Sequence, residues 1–198
     1  MRSATCSGPM RSPRSSDRRG LLTGLADLEG ENDMSMTAGA ARDLLLYMLW
    51  ADRQMLKSAR SVRPEHLTRD AGVSFQSLLG TMSHMLRGEK LWLSRFLGHP
   101  AASVPGLDDF QDLLSWITAW EENASGIEAF LAGLTDEQLT AALTWTNQQG
   151  ETHTRPLWQL ILQLVNHSTY HRGQVVSLLR QMGYTAESTD LTRFYAER

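Results

Sequence analysis

Apolar residues return every third or fourth position over most of this chain. The first such stretch carries Leu45, Met48, Leu49, Met55, Leu56 and Ala59, with Asp52 on the same stripe. That interval matches the 3.6-residue turn of an α-helix, and Pro64 is expected to close the element. A second helix is expected from an N-cap at Ser74 through Leu78, Leu79, Met82, Met85, Leu86, Leu93 and Phe96, stopped by Gly98 and Pro100. Asp108 followed by Gln111 reads as a capping box opening a third, through Leu113, Leu114, Ile117, Trp120, Ile127 and Leu131 to Gly133. Thr135 with Gln138 repeats that signature ahead of a short helix. From Leu143 to Thr154 the period changes. Leu143 and Trp145 alternate with threonines and Asn-Gln-Gln-Gly supplies a turn, so a small hairpin or an irregular loop is expected. Pro156 suits the first turn of a fourth long helix, with Leu157, Leu160, Ile161, Leu164, Val165, Val175, Leu178 and Leu179 on its stripe and Gly183 at its end. A last amphipathic turn or two, Asp190 to Ala196, would cover one end. Four long helices joined by modest loops make an all-α four-helix bundle the expected fold.

The first 33 residues break this pattern. Arg2, Arg11, Arg14, Arg18 and Arg19 alternate with Ser, Gly and Pro without apolar periodicity, so residues 1–33 are expected to be a disordered leader or upstream extension. Residues 34–198 then form a single domain, which suits a chain of 198 residues. A formal net charge of -3 argues against a duplex-binding surface as the main purpose. Cys6 is the only cysteine, which excludes an intrachain disulfide and a thiolate metal cage and makes the cytoplasm the expected compartment. No apolar run approaches the ~20 residues a membrane crossing needs.

Polar residues interrupt the apolar stripes in a chemically pointed way. His167 and His171 lie four residues apart on the fourth helix, so both imidazoles leave one face one turn apart, close enough to share an ion. Gln163 and Gln174 sit on the same face as candidates to support them, and unpaired polar groups there would cost about 1–3 kcal/mol each. His84 on the second helix is the third candidate ligand, flanked one turn away by Gly80 and Gly88. Two glycines inside a helix cost about 1 kcal/mol each against alanine; they either keep space open beside His84 or allow close helix packing. Asp52 needs a partner wherever it is buried, either an imidazole N–H of a metal ligand or an arginine such as Arg172. His66, His99 and His153 fall in expected loops and read as solvated, although the loop carrying His153 is placed to fold over the mouth of the bundle.

Taken together, Tyr47-Met-Leu-Trp-Ala-Asp52, Ser83-His84 with Glu89-Lys-Leu-Trp-Leu93, and Asn166-His-x-x-x-His-Arg-Gly-Gln174 followed by Leu179-Arg-Gln-Met-Gly183 resemble the DinB-like family of four-helix metalloproteins, named for DNA-damage-inducible members. The resemblance covers Thr37 to Arg198. It implies an up-down-down-up bundle in which the second helix lies beside the fourth. It also implies a divalent transition metal, zinc or nickel, on His84, His167 and His171. Similar bundles include thiol-dependent transferases and isomerases that use bacillithiol, mycothiol or glutathione, and others labelled metal-dependent hydrolases.

Three imidazoles leave an ion short of a full coordination shell, so activation of a small thiol or of water on a small-molecule substrate is the expected chemistry, in a stress or detoxification role. Hydrolysis would call for a general acid or base, for which Asp52 and Glu89 are the candidates; thiol transfer would not. The competing expectation is a non-catalytic metal-binding stress-response module or a homodimeric interaction protein. A homodimer is expected in either case, with Trp92, Trp116 and Trp120 assigned to the core or to the dimer surface, and neither nucleic acid nor membrane as partner.

Overall fold

A computed structural model describes residues 36–99, 110–147 and 149–198, and the expected leader, residues 1–33, lies outside them. Helix α1 spans Ala38–Ala59 and begins where Thr37 Oγ1 accepts the free N–H of Ala40. Its stripe of Leu45, Met48, Leu49 and Met55 is almost wholly excluded from solvent. Pro64 does not close this helix. The chain leaves α1 four residues earlier, and Pro64 instead opens a five-residue helix, α2, Pro64–Thr68, where its missing N–H costs nothing.

Helix α3, Leu78–Phe96, starts three residues later than Ser74 suggested. Ser74 belongs to a tight turn closed by Gln76 N–H donating to Val73 O at 2.8 Å, and the cap is Ser77, whose Oγ accepts from Gly80 N. A side chain at Gly80 would run into the backbone carbonyl of Phe75, so glycine lets this turn lie flat against the helix. The proposed cap Asp108 lies outside the described residues. The box that opens α4, Leu113–Ala132, is Asp112 with Ser115, four residues further on. Thr135 and Gln138 cap α5, Asp136–Thr140, as their spacing indicated.

Strands β1, Ala142–Thr146, and β2, Thr152–Pro156, form the hairpin, antiparallel and in a register that sets Trp145 opposite His153. Helix α6, Leu157–Gln181, follows at once, with Pro156 serving as its N-cap rather than in its first turn. Gly183, at φ 82°, ends it in the left-handed region that favours glycine. Helix α7, Leu191–Ala196, buries Phe194 against Tyr47 and Trp50 of α1.

The architecture is all-α apart from the hairpin. Helix α6 packs along both α3 and α1, and α4 closes the other side against the same two, so the second long helix does lie beside the fourth. Trp116 and Trp120 stack parallel in the core, whereas Trp92 is half-buried on α3 facing the hairpin. No described helix is long and apolar enough to cross a membrane.

Candidate metal centre

The three imidazoles meet on the α3–α6 seam. The ring centroids of His167 and His171 are 4.4 Å apart, and His84 lies 4.5 Å from His171 and 5.2 Å from His167. One ring nitrogen from each falls within 4.8 Å of the others, and Nε2 of His84 and His167 are 3.3 Å apart. Three nitrogens around a zinc-sized ion are separated by ~3.4 Å at ordinary Zn–N lengths, so small ring rotations suffice to fit one. His66, His99 and His153 are elsewhere: His66 shares a hydrogen bond with Tyr184 Oη, His99 is exposed beyond α3, and His153 lies on β2.

Burial, then the charges of His171 and Arg87, lowers His84 to about 4. Burial, then His171 and His84, brings His167 to about 4 as well. Both are therefore neutral at physiological pH and keep a lone pair for a Lewis acid. Gln174 Oε1 accepts from His171 Nδ1 at 2.8 Å, which leaves Nε2 of that ring as the free ligand atom. Nδ1 of His167 is buried with no hydrogen-bond partner among the described residues, an unfavourable state that ligation through Nδ1 itself would relieve. This donor set fits a divalent transition metal, with no fourth His, Cys, Asp or Glu joining the group among the described residues.

Two features of this approach depend on small backbone details. Gly88 does not hold space open: a Cβ there would come within 2.6 Å of His167 Cε1, so the missing side chain is filled by the imidazole itself. Phe75, held in the turn before α3, stacks on His84 at 3.8 Å and meets His171 edge-on at 5.6 Å. Nothing in the residue pattern of that turn marked Phe75, because its orientation depends on the positive φ of Gln76 beside it.

Behind the histidines lies a buried polar layer. Each ligand candidate on α6 is followed by a residue anchored in the core. Ser168 Oγ donates to Glu89 Oε1 at 2.8 Å, and Arg172 Nη1 donates to Asp52 Oδ1 at 2.9 Å. Of the two partners open to Asp52, the structure selects Arg172; Asp52 does not support a histidine. Arg172 also donates to Thr169 Oγ1 and packs over the Tyr47 ring. Burial is the largest influence and opposes its charge, but Asp52, Tyr47 and Glu89 together outweigh it and hold Arg172 above its ordinary value. Burial first, and the Asp52 charge second, push Glu89 well above the carboxylate range. Both acids are fully enclosed, so neither reaches a substrate as a general base. Gln163 is exposed one turn before His167 and supports no ring.

Clefts flank the cluster on two sides. One, of about 420 Å³, runs between the turn at Val73 and Tyr170, Gln174 and Ser177 of α6. Another, of about 380 Å³, is walled by Trp92, Trp145, His153, Arg155 and Gln163.

The model of the DinB family matches residues 34–198. Protein DinB of Bacillus subtilis (strain 168) is 24% identical over 158 residues, covering 73% of this chain and 87% of that protein. The crystal structure of a DinB-like protein from Bacillus cereus ATCC 10987 superposes with a TM-score of 0.59 at 21% identity, over 78% of this chain and 99% of that one, a likeness of fold.

Proposed function

The chain belongs to the DinB family, and from that premise we propose that His84, His167 and His171 hold one divalent transition ion, zinc or nickel, in a cytosolic protein that acts on small molecules. The observation that carries this reading is the convergence of three ring nitrogens within 4.8 Å, with no fourth protein ligand among the described residues. Bound there, the ion would supply a Lewis acid able to lower the pKa of a small thiol or of water into the neutral range. The chain's own residues prepare that position. Gln174 fixes the tautomer of His171, Gly88 admits the His167 ring, and Phe75 screens the cluster from bulk water. With Asp52 and Glu89 sealed behind α6, no carboxylate among the described residues joins the cluster to take a proton from water, which favours thiol transfer over hydrolysis.

Elemental analysis of the purified protein tests the site. One transition ion per chain is expected, sharply reduced by His84→Ala, His167→Ala or His171→Ala and retained in His66→Ala and His99→Ala. Equal loss in all five variants overturns the assignment. A small thiol should shift the visible spectrum of the cobalt-substituted protein; an X-ray absorption spectrum unchanged by thiols and anions favours a structural ion in a stress-response module instead.

A further inference from the structure

The cleft between α3, the first half of α6 and the hairpin continues the metal site in one direction. Gln163 stands four residues before His167 on α6, and Trp92 four residues beyond Gly88, the position that touches His167. Four residues advance a helix by about 6 Å, so the cleft opens one turn from the imidazole cluster. Its walls are aromatic: Trp92 and Trp145 meet edge to face at 5.4 Å, and His153 lies 5.3 Å from Trp145. Its charge is positive. Arg155 is exposed at the rim and, among the described residues, bonds only its neighbour's carbonyl, Thr154 O. Arg95 lies over Trp92 at 4.6 Å and near Trp145 at 5.9 Å. Neither guanidinium forms an ion pair with a carboxylate among the described residues, nor does Arg87, whose Nε is buried without a partner close to His84. Glu151, 3.7 Å from His153, is engaged by the Asn147 amide.

A slot of two indoles with the unpaired Arg155 guanidinium at its rim, the Arg95 guanidinium over one indole and the exposed Gln163 amide on its wall is complementary to a flat ring system bearing an anionic group. We propose that this cleft binds planar anionic small molecules, the ring against Trp92 and Trp145 and the anionic group toward Arg155, with the opposite end of the molecule directed at the three histidines. This deepens the function proposed above and rests on it for the direction of the reacting end, although the cleft's own residues supply the binding.

Calorimetric titration of the metal-loaded full chain with 2-naphthoate tests it, with neutral 2-naphthalenemethanol and inorganic phosphate as comparison ligands. Naphthoate should bind at least about ten-fold more tightly than either, and Arg155→Gln should remove about ten-fold in affinity without altering metal content. Trp145→Ala should do the same; because Arg155 is exposed on the hairpin, its variant stays informative even where Trp145→Ala disturbs the hairpin. Naphthoate binding should persist in the metal-free His84→Ala protein. Naphthoate binding that is lost there and indifferent to Arg155→Gln places the carboxylate on the ion and overturns the cleft. Equal affinity for the alcohol or for phosphate overturns it too. A protein that holds no metal yet binds naphthoate through Arg155 sinks the metal reading and leaves the cleft standing.

Discussion

Helix α6 carries two pairs of polar residues, offset by one position, that live under opposite electrostatic rules. Ser168 and Arg172 face the core, where each meets a buried acid and the guanidinium is compensated by Asp52. His167 and His171 face the α3 seam, where no carboxylate among the described residues joins them, two of the three clustered rings are pushed toward the neutral form, and one nitrogen has no described partner. The first pair has its charge compensated within the chain, although Arg172 Nε and Asp52 Oδ2 are each buried without a hydrogen-bond partner among the described residues. In the second, the His167 ring is held toward the neutral form and has a buried nitrogen that no described residue engages. The difference separates side chains that hold the helix in register from rings that gather on the seam, because one residue along a helix turns the side chain by about a hundred degrees.

The largest break in this comparison should come from the charge-compensated side. Asp52→Ala strands the Arg172 charge in the core and should lower stability by about 3–5 kcal/mol in urea unfolding. Adding Arg172→Leu should recover a large part of it, since removing both partners leaves no unpaired charge. A single variant as stable as the parent would show that water reaches Arg172.

Gly88→Ala should separate the two faces. Alanine improves helix propensity by about 1 kcal/mol, yet its Cβ occupies the place of the His167 ring. Metal affinity is expected to fall about ten-fold or more in competition with a chelator, while the thermal midpoint of the metal-free protein holds or rises. Unchanged affinity would mean that His167 binds from another rotamer.

The histidine side also predicts a pH dependence for the metal-free protein. His84 and His167 titrate near 4 in the folded chain and near 6.5 unfolded, burial being the larger cause for each. Above 6.5 both states are neutral at these rings and nothing is gained or lost. As pH falls from 6.5 toward 4 the unfolded chain takes up protons that the folded one refuses, so stability declines over that window. The rings are only partly buried, so the slope is modest. The His84→Ala, His167→Ala double variant should flatten it, and an equally steep decline in that variant would assign the effect to other groups.

The smallest effect is expected at Glu89. Burial favours the neutral form of this carboxyl, and glutamine keeps its shape and one acceptor, for Ser168, while its amide can donate to the otherwise unpartnered Asn123 Oδ1 once that side chain turns over. Glu89→Gln should leave unfolding stability within about 1 kcal/mol at pH 7. A loss of several kcal/mol would show that Glu89 is ionised in the core.

Most of the fold was legible because helix periodicity, caps and glycine stops are local. Thr135 and Gln138 cap α5 as read, and the alternation after Leu143 became the hairpin. Errors fell where two neighbouring residues offer the same local signal. Ser74 and Ser77 offer the same cap, and Ser77 takes it where the preceding turn lies flat against Gly80; Asp112 opens the next long helix, while Asp108 lies outside the described residues. The His167–His171 pair was equally legible, since a spacing of four places both rings on one face whatever surrounds them.

Long-range partners were not legible. The choice between Arg172 and a histidine as the partner of Asp52 depends on how α1 and α6 are rotated against each other, with 120 residues of chain between them. The placement of Phe75 over His84 depends on a positive φ at Gln76 that no pattern of apolar residues encodes. By itself the sequence determined the helices, the bundle and the residues able to bind a metal, because these follow from covalent spacing and the burial of apolar faces. Only the tertiary structure decided which polar groups are sealed and which remain open, because that depends on which helix faces meet and on how much water their packing excludes.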